Sequence, residues 1–161
     1  MAISNLRAKQ KWIELATSSP TSGSSVTFSS LTEYSDYKVS YFNANSSTSA
    51  TLTLTLNNDT TSAYSWIAQK DSGQTSSDGL DTSIRLGDLG SGGSATAGTG
   101  VITILDANQL IKNINYFHSG NEDANLGQGY WNDQSVINRI DFSLSGGATF
   151  SGGTIKVYGR N

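Results

Sequence analysis

His118 is the one imidazole in the chain, and with a scatter of carboxylates it is the group best suited to acid–base or nucleophilic work. A Ser-His-Asp arrangement would have to use it, yet no serine sits in a nucleophile-elbow pattern. His118 reads instead as an exposed loop or strand-end residue. Paired carboxylates can hydrolyse glycosidic bonds. The glutamates are only Glu14, Glu33 and Glu122, too far apart in sequence for spacing to pair them. Asp71, Asp78, Asp81, Glu122 and Asp123 offer the oxygen ligands that Ca²⁺ takes, but none matches an EF-hand loop and they read as solvated acidic turns. Cysteine is absent, so no thiolate metal site or disulfide framework can form. No phosphate-binding or dinucleotide glycine pattern follows a strand and opens a helix. The expectation is a protein that is not an enzyme, with no cofactor and no metal.

A second chemistry is sugar recognition. Tyr130, Trp131 and Asn132 lie in a polar stretch with Asn121, Glu122, Asp123 and Asn125. Aromatic rings stack on the apolar faces of sugars, and amide and carboxylate side chains bind hydroxyls. The competing reading has Trp131 opening the strand that leads to the last hairpin and burying in the core or a subunit interface.

The elements that would carry these residues are strands. Ala50–Asn57 (ATLTLTLN) alternates Leu52, Leu54 and Leu56 against Thr51, Thr53 and Thr55, one dry face and one wet face. Similar alternation marks Trp12–Ala16, Ser24–Leu31, Tyr37–Ala44, Tyr64–Gln69, Ser83–Leu89 and Val101–Leu105. Leu110–Phe117 fits helical spacing as well, but its Ile, Tyr and Phe content favours a strand. Asp71–Asp81 and His118–Asp133 read as long loops, and the glycine-rich run before Val101 as a flexible connection. Val136–Asn161 reads as a terminal β-hairpin turning at Gly146-Gly147 and Gly152-Gly153, with Phe150 folded back onto the core. Serine and threonine number 26 and 17, glycine 17 and proline 1, a mixture that suits strands joined by short turns. The predicted fold is all-β: an antiparallel β-sandwich, jelly-roll-like, of about ten short strands. At 161 residues it is a single domain over 12–161 behind a flexible arm, 1–11.

Only 14% of residues are charged and the net charge is −3, with the ten basic residues scattered, which argues against nucleic acid as a partner. No apolar run follows Arg7, Lys9 and Lys11, so the start does not read as a signal peptide, and no stretch is long enough for a membrane helix. The arm has the character of a segment that orders on a partner surface: Arg7, Lys9 and Lys11 for charge-assisted contacts, Ile3 and Leu6 for small pockets.

The order of blocks WIELAT, SSVTFSSLTEYSDYKVSYFNA, TLTLTLNNDTTSAYSW, GTGVITILD and INRIDFSLSGGATFSGGTIKVYG resembles a broad family of tailed-bacteriophage virion structural proteins. The resemblance covers nearly the whole chain after the arm, and its terminal motif is matched by Phe150, Gly153, Tyr158 and Gly159. It implies a β-sandwich displayed on a virion, which the lack of an export segment would have assembled in the host cytoplasm, and it supplies no catalytic residues. The expected role is a capsid decoration (cement) protein that binds the major capsid protein or another virion protein. The alternative is the receptor- or glycan-binding head of a tail or head fibre. The three Trp and seven Tyr, many on strands, suggest a homo-oligomer, a trimer by the symmetry of virion axes.

Overall fold

The computed structural model describes residues 11–31, 34–70, 73–76, 80–90, 97–120 and 123–161. Among these there is no helix and there are twelve strands. They are β1 (Ile13–Ser18), β2 (Ser25–Ser29), β3 (Asp36–Ser46), β4 (Ala50–Leu56), β5 (Tyr64–Lys70) and β6 (Gly73–Ser76). Then come β7 (Ile84–Leu89), β8 (Gly98–Leu105), β9 (Ile111–Gly120), β10 (Asp123–Asn132), β11 (Arg139–Leu144) and β12 (Phe150–Arg160). All pair antiparallel, in an eight-stranded sheet β1-β12-β3-β8-β9-β10-β5-β6 and a four-stranded sheet β2-β11-β4-β7. The chain is an antiparallel β-sandwich.

The larger sheet runs without a break from β1-β12-β3-β8 into β9-β10-β5-β6. The four neighbours β1-β12-β3-β8 lie in one sheet, and β2-β11-β4-β7 form the other. The remaining strands, β5, β6, β9 and β10, arrive as two excursions and extend the larger sheet past β8. This added wing is where the exposed apolar side chains concentrate.

The core sits between the sheets and follows the alternation. Leu52, Leu54 and Leu56 are fully buried, and each contributes about 1.5–3 kcal/mol by leaving water. Tyr41 of β3 reaches across to Phe142 of β11, ring centroids 6.4 Å apart. Phe150 is buried as expected. After β4, Asn57 and Asn58 take left-handed φ values of 54° and 56°, a conformation asparagine tolerates better than most residues. Asn57 then ties in the segment before β11. Its Oδ1 accepts from the Asn138 and Arg139 backbone N–H groups at 2.9 and 3.1 Å, and its Nδ2 donates to the Val136 carbonyl at 2.9 Å.

Five local expectations are corrected. Val136–Asn161 is not a hairpin: β11 pairs with β2 and β4 in the small sheet, while β12 pairs with β1 and β3 in the large one. The turn at Gly146-Gly147 therefore carries the chain from one sheet to the other. Gly152 and Gly153 are not a turn either. They form irregularities inside β12, where a Cβ on Gly153, φ 104°, would come within 2.5 Å of the Asn43 carbonyl oxygen. The stretch Asp71–Asp81 contains β6, and the stretch His118–Asp133 contains β10. Of the supposed flexible connection, residues 98–100 belong to β8.

Candidate binding face

Strands expose alternate residues, so the outer face of the wing and of the adjoining β8 is set by odd positions in β5, β8 and β9 and even positions in β10. Register places them in rows across the sheet. Val101, Phe117, Leu126 and Gln69 form one row. Thr103, Asn115, Gln128 and Ile67 form the next, and Leu105, Asn113, Tyr130 and Ser65 the third. The result is a field of apolar groups with amides threaded through it. Leu126 is 68% exposed, and Ile67, Val101, Phe117 and Tyr130 are exposed as well.

Two hollows lie on this face and share Ile67, Asn115 and Gln128. The larger, about 670 Å³, is bordered by Asn113 and Tyr130, and the smaller, about 420 Å³, by Gln69 and Leu126. Among the described residues no charged side chain lines either hollow. Asn113 Nδ2 donates to Asp106 Oδ2 at 3.2 Å, which orients that amide. The Asn115 and Gln128 amides and the Tyr130 hydroxyl have no intramolecular partner among the described residues, so their hydrogen-bonding capacity faces solvent.

The inner face of the wing holds this surface rigid. Trp131 is 1% exposed, stacks on Tyr64 with centroids 6.1 Å apart, and donates from Nε1 to Asp59 Oδ2 at 2.7 Å. Burial alone would raise the Asp59 carboxyl, but hydrogen bonds from Thr61 and Trp131 outweigh it and hold it below its usual range. Lys112 is buried with its Nζ 4.8 Å from the Trp131 ring centroid, and it donates to the Asp133 carbonyl. Burial lowers its ammonium below the usual lysine range, with the Asp133 carboxylate opposing the shift. Asn125 Nδ2 donates to the Leu86 carbonyl at 3.0 Å, tying β10 to β7.

A second region of the same sheet receives Trp12. Trp12 lies with Arg160 Cζ 4.6 Å and Lys38 Nζ 5.2 Å from its ring centroid, and Lys38 also sits 4.8 Å from the Tyr158 centroid. Lys156 Nζ pairs with Glu14 Oε2 at 3.0 Å beside them.

Of the residues singled out in the sequence, Tyr130 stands on the exposed face, Asn132 is exposed at the end of β10, and Trp131 is in the core. The trio is thus split, because neighbours in a strand point to opposite sides. Of the arm residues, Ile3, Leu6, Arg7 and Lys9 lie outside the described residues, and Lys11 is exposed. Asn121, Glu122, Asp71 and Asp78 also lie outside them. Asp81 Oδ2 accepts from Trp66 Nε1 at 3.2 Å, and no group of three His, Cys, Asp or Glu able to hold a metal ion is found among the described residues.

The expectation for His118 is overturned. It is 0% exposed, with Nδ1 2.8 Å from the Tyr41 hydroxyl and Nε2 3.2 Å from the Asp88 carbonyl oxygen. The carbonyl can only accept, so Nε2 donates and Nδ1 accepts from Tyr41. Gly87 makes the room: a Cβ there would lie 2.1 Å from the His118 ring. Sequence reasoning did not identify Ile67, Asn113, Asn115, Leu126 and Gln128. Their signal is the alternation Leu126, Gln128, Tyr130 against Asn125, Gly127, Gly129, Trp131, which glycine disguises as a loop.

Fold and site together define a β-sandwich with one uncharged, partly apolar face on an added wing. No protein-family model matches the chain, and no curated protein matches it.

Proposed function

We propose that this chain is a non-enzymatic structural protein of a bacteriophage virion, a capsid decoration protein that clips onto the outer shell and reinforces it. What supports the reading beyond the ordered sequence blocks is the seat of Trp12. Its indole is held by Lys38 and Arg160 on the outer side of the β1-β12-β3 region. The basic segment 1–11 therefore departs from a fixed point on the sandwich, as an anchoring arm requires. In this reading the eight strands β1–β4, β7, β8, β11 and β12 are wound as a jelly roll, and the two excursions are insertions into it.

Each arm residue ordered on the shell costs on the order of 1–2 kcal/mol of backbone entropy. Useful attachment therefore calls for several arms acting together, as a homotrimer would supply. The test compares the full chain with one beginning at Trp12, each added to capsids that lack the protein. The truncated form should stay folded but lose most of its binding, and the particles should become less resistant to heat. Equal decoration by both forms would refute the anchoring role. Binding of neither to capsids, with both binding cells, would favour the head of a fibre.

A further inference from the structure

We infer that the outer face of the wing is a binding site for a neutral oligosaccharide, lying along β10 between Tyr130 and Leu126. It is distinct from the arm. The strands that build it, β5, β9 and β10, already bury Tyr64, Trp66, Ile114 and Trp131 in the core from their inner face, so core packing does not dictate their outward side chains. A fold that needs them only for stability would face them outward with charged or hydroxylic side chains, as the small sheet does with Thr53, Thr55, Arg139 and Ser143. Here the outward set is Leu126, Gln128 and Tyr130 beside Ile67, Asn113 and Asn115.

The chemistry of that set is specific. A pyranose has an apolar C–H face and a rim of hydroxyls that each donate and accept. Tyr130 offers a flat ring for the C–H face, and Ile67 and Leu126 offer aliphatic contact beside it. The Asn115 and Gln128 amides lie opposite each other in register, each with a carbonyl and an NH₂ to meet neighbouring hydroxyls. Neither spends this capacity on another of the described residues. No charged group lines the hollows among the described residues, so nothing there compensates a uronate, sialate or phosphate. A neutral sugar is the matching ligand. From Tyr130 to Leu126 is four residue steps, about 13 Å along the strand. The two hollows are continuous through Ile67, Asn115 and Gln128, so the site suits a short chain of sugars better than a monosaccharide.

The site is preorganised. Trp131, between the outward Tyr130 and Asn132, is locked by Tyr64 and Asp59. Gly127 leaves room for the Tyr116 ring beneath β10, where a Cβ would come 2.1 Å from Tyr116 Cζ. Binding therefore requires little backbone ordering.

The test needs no capsid, so its outcome is separate from that of the anchoring experiment. The full chain, labelled with ¹⁵N, is titrated with maltohexaose, cellohexaose, mannohexaose and, as the acidic counterpart, oligogalacturonate. At least one neutral oligosaccharide should shift the amide signals of Asn113, Asn115, Gln128 and Tyr130 in a saturable way, while oligogalacturonate should not. Tyr130→Ala and the pair Asn115→Ala/Gln128→Ala should each weaken that binding at least about tenfold, with the rest of the spectrum unchanged. Arm truncation before Trp12 should leave it unaltered. Three results would overturn the site: no neutral oligosaccharide shifting the wing, saturable shifts confined to another surface, or self-association that Leu126→Lys abolishes. The last would assign the face to a second copy of the chain.

Discussion

Trp131 Nε1 donates to Asp59 Oδ2 at 2.7 Å, joining the end of β10 to the turn that follows β4. The bond crosses 72 residues of sequence and links the wing to the strand that anchors the small sheet. It also gives the fold a built-in acid sensitivity. The Asp59 carboxyl is depressed in the folded chain, so its contribution is present above its unfolded pKa and lost as pH falls through the folded value. Thermal unfolding followed from pH 6 to pH 2 should show stability declining below about pH 4. Asp59→Asn should lose less stability over the same range, because the amide has no proton to gain.

The core facing assignment makes a sharp prediction. Leu54 is fully buried and pairs in register with Phe142. Leu54→Asp places a charge there with no partner and should cost on the order of 4 kcal/mol or more. Chemical denaturation should find the variant unfolded or nearly so. A midpoint equal to that of the parent chain would contradict the burial of that face.

The buried histidine can be tested without touching it. Tyr41→Phe removes the hydroxyl that donates to His118 Nδ1 in the core. The expected loss is about 0.5–1.5 kcal/mol by urea unfolding, the net contribution of one such hydrogen bond. Gly87→Ala should also destabilise, because the added methyl would strike the imidazole. Both effects should be accompanied by a change in the His118 ring signals.

Gly127→Ala reports on the inner side of the wing. The new Cβ would overlap the Tyr116 ring, and overpacking of this kind costs roughly 1–3 kcal/mol. Gln128→Ala, one residue on but facing solvent, should stay within about 0.5 kcal/mol of the parent. Calorimetry on the two variants separates the faces of β10.

Some of this architecture is written in local pattern. The alternation of Leu52, Leu54 and Leu56 with threonines, and of Tyr37, Val39 and Tyr41 with polar residues, assigns strand and facing without reference to anything distant. Asn57-Asn58 marks its turn because few residues accept left-handed φ. Tyr130 was singled out for its ring chemistry in a stretch that read as a loop, and the strand that exposes it was not legible there. Other features depended on what lies across the sandwich. Period-two alternation distinguishes two faces but does not say which strand pairs alongside, so Ile140–Leu144 and Ile155–Val157 read as one hairpin although they belong to different sheets. Nor does it say whether a face meets a neighbour or water. His118 and Lys112 are polar in sequence and buried in the fold, because Tyr41, the Asp88 and Asp133 carbonyls and the Trp131 ring receive them from elsewhere in the chain. Leu126 and Ile67 are apolar and exposed, because the small sheet lies against the other side of the wing. Those outcomes come from non-local strand pairing, which only the tertiary structure decides.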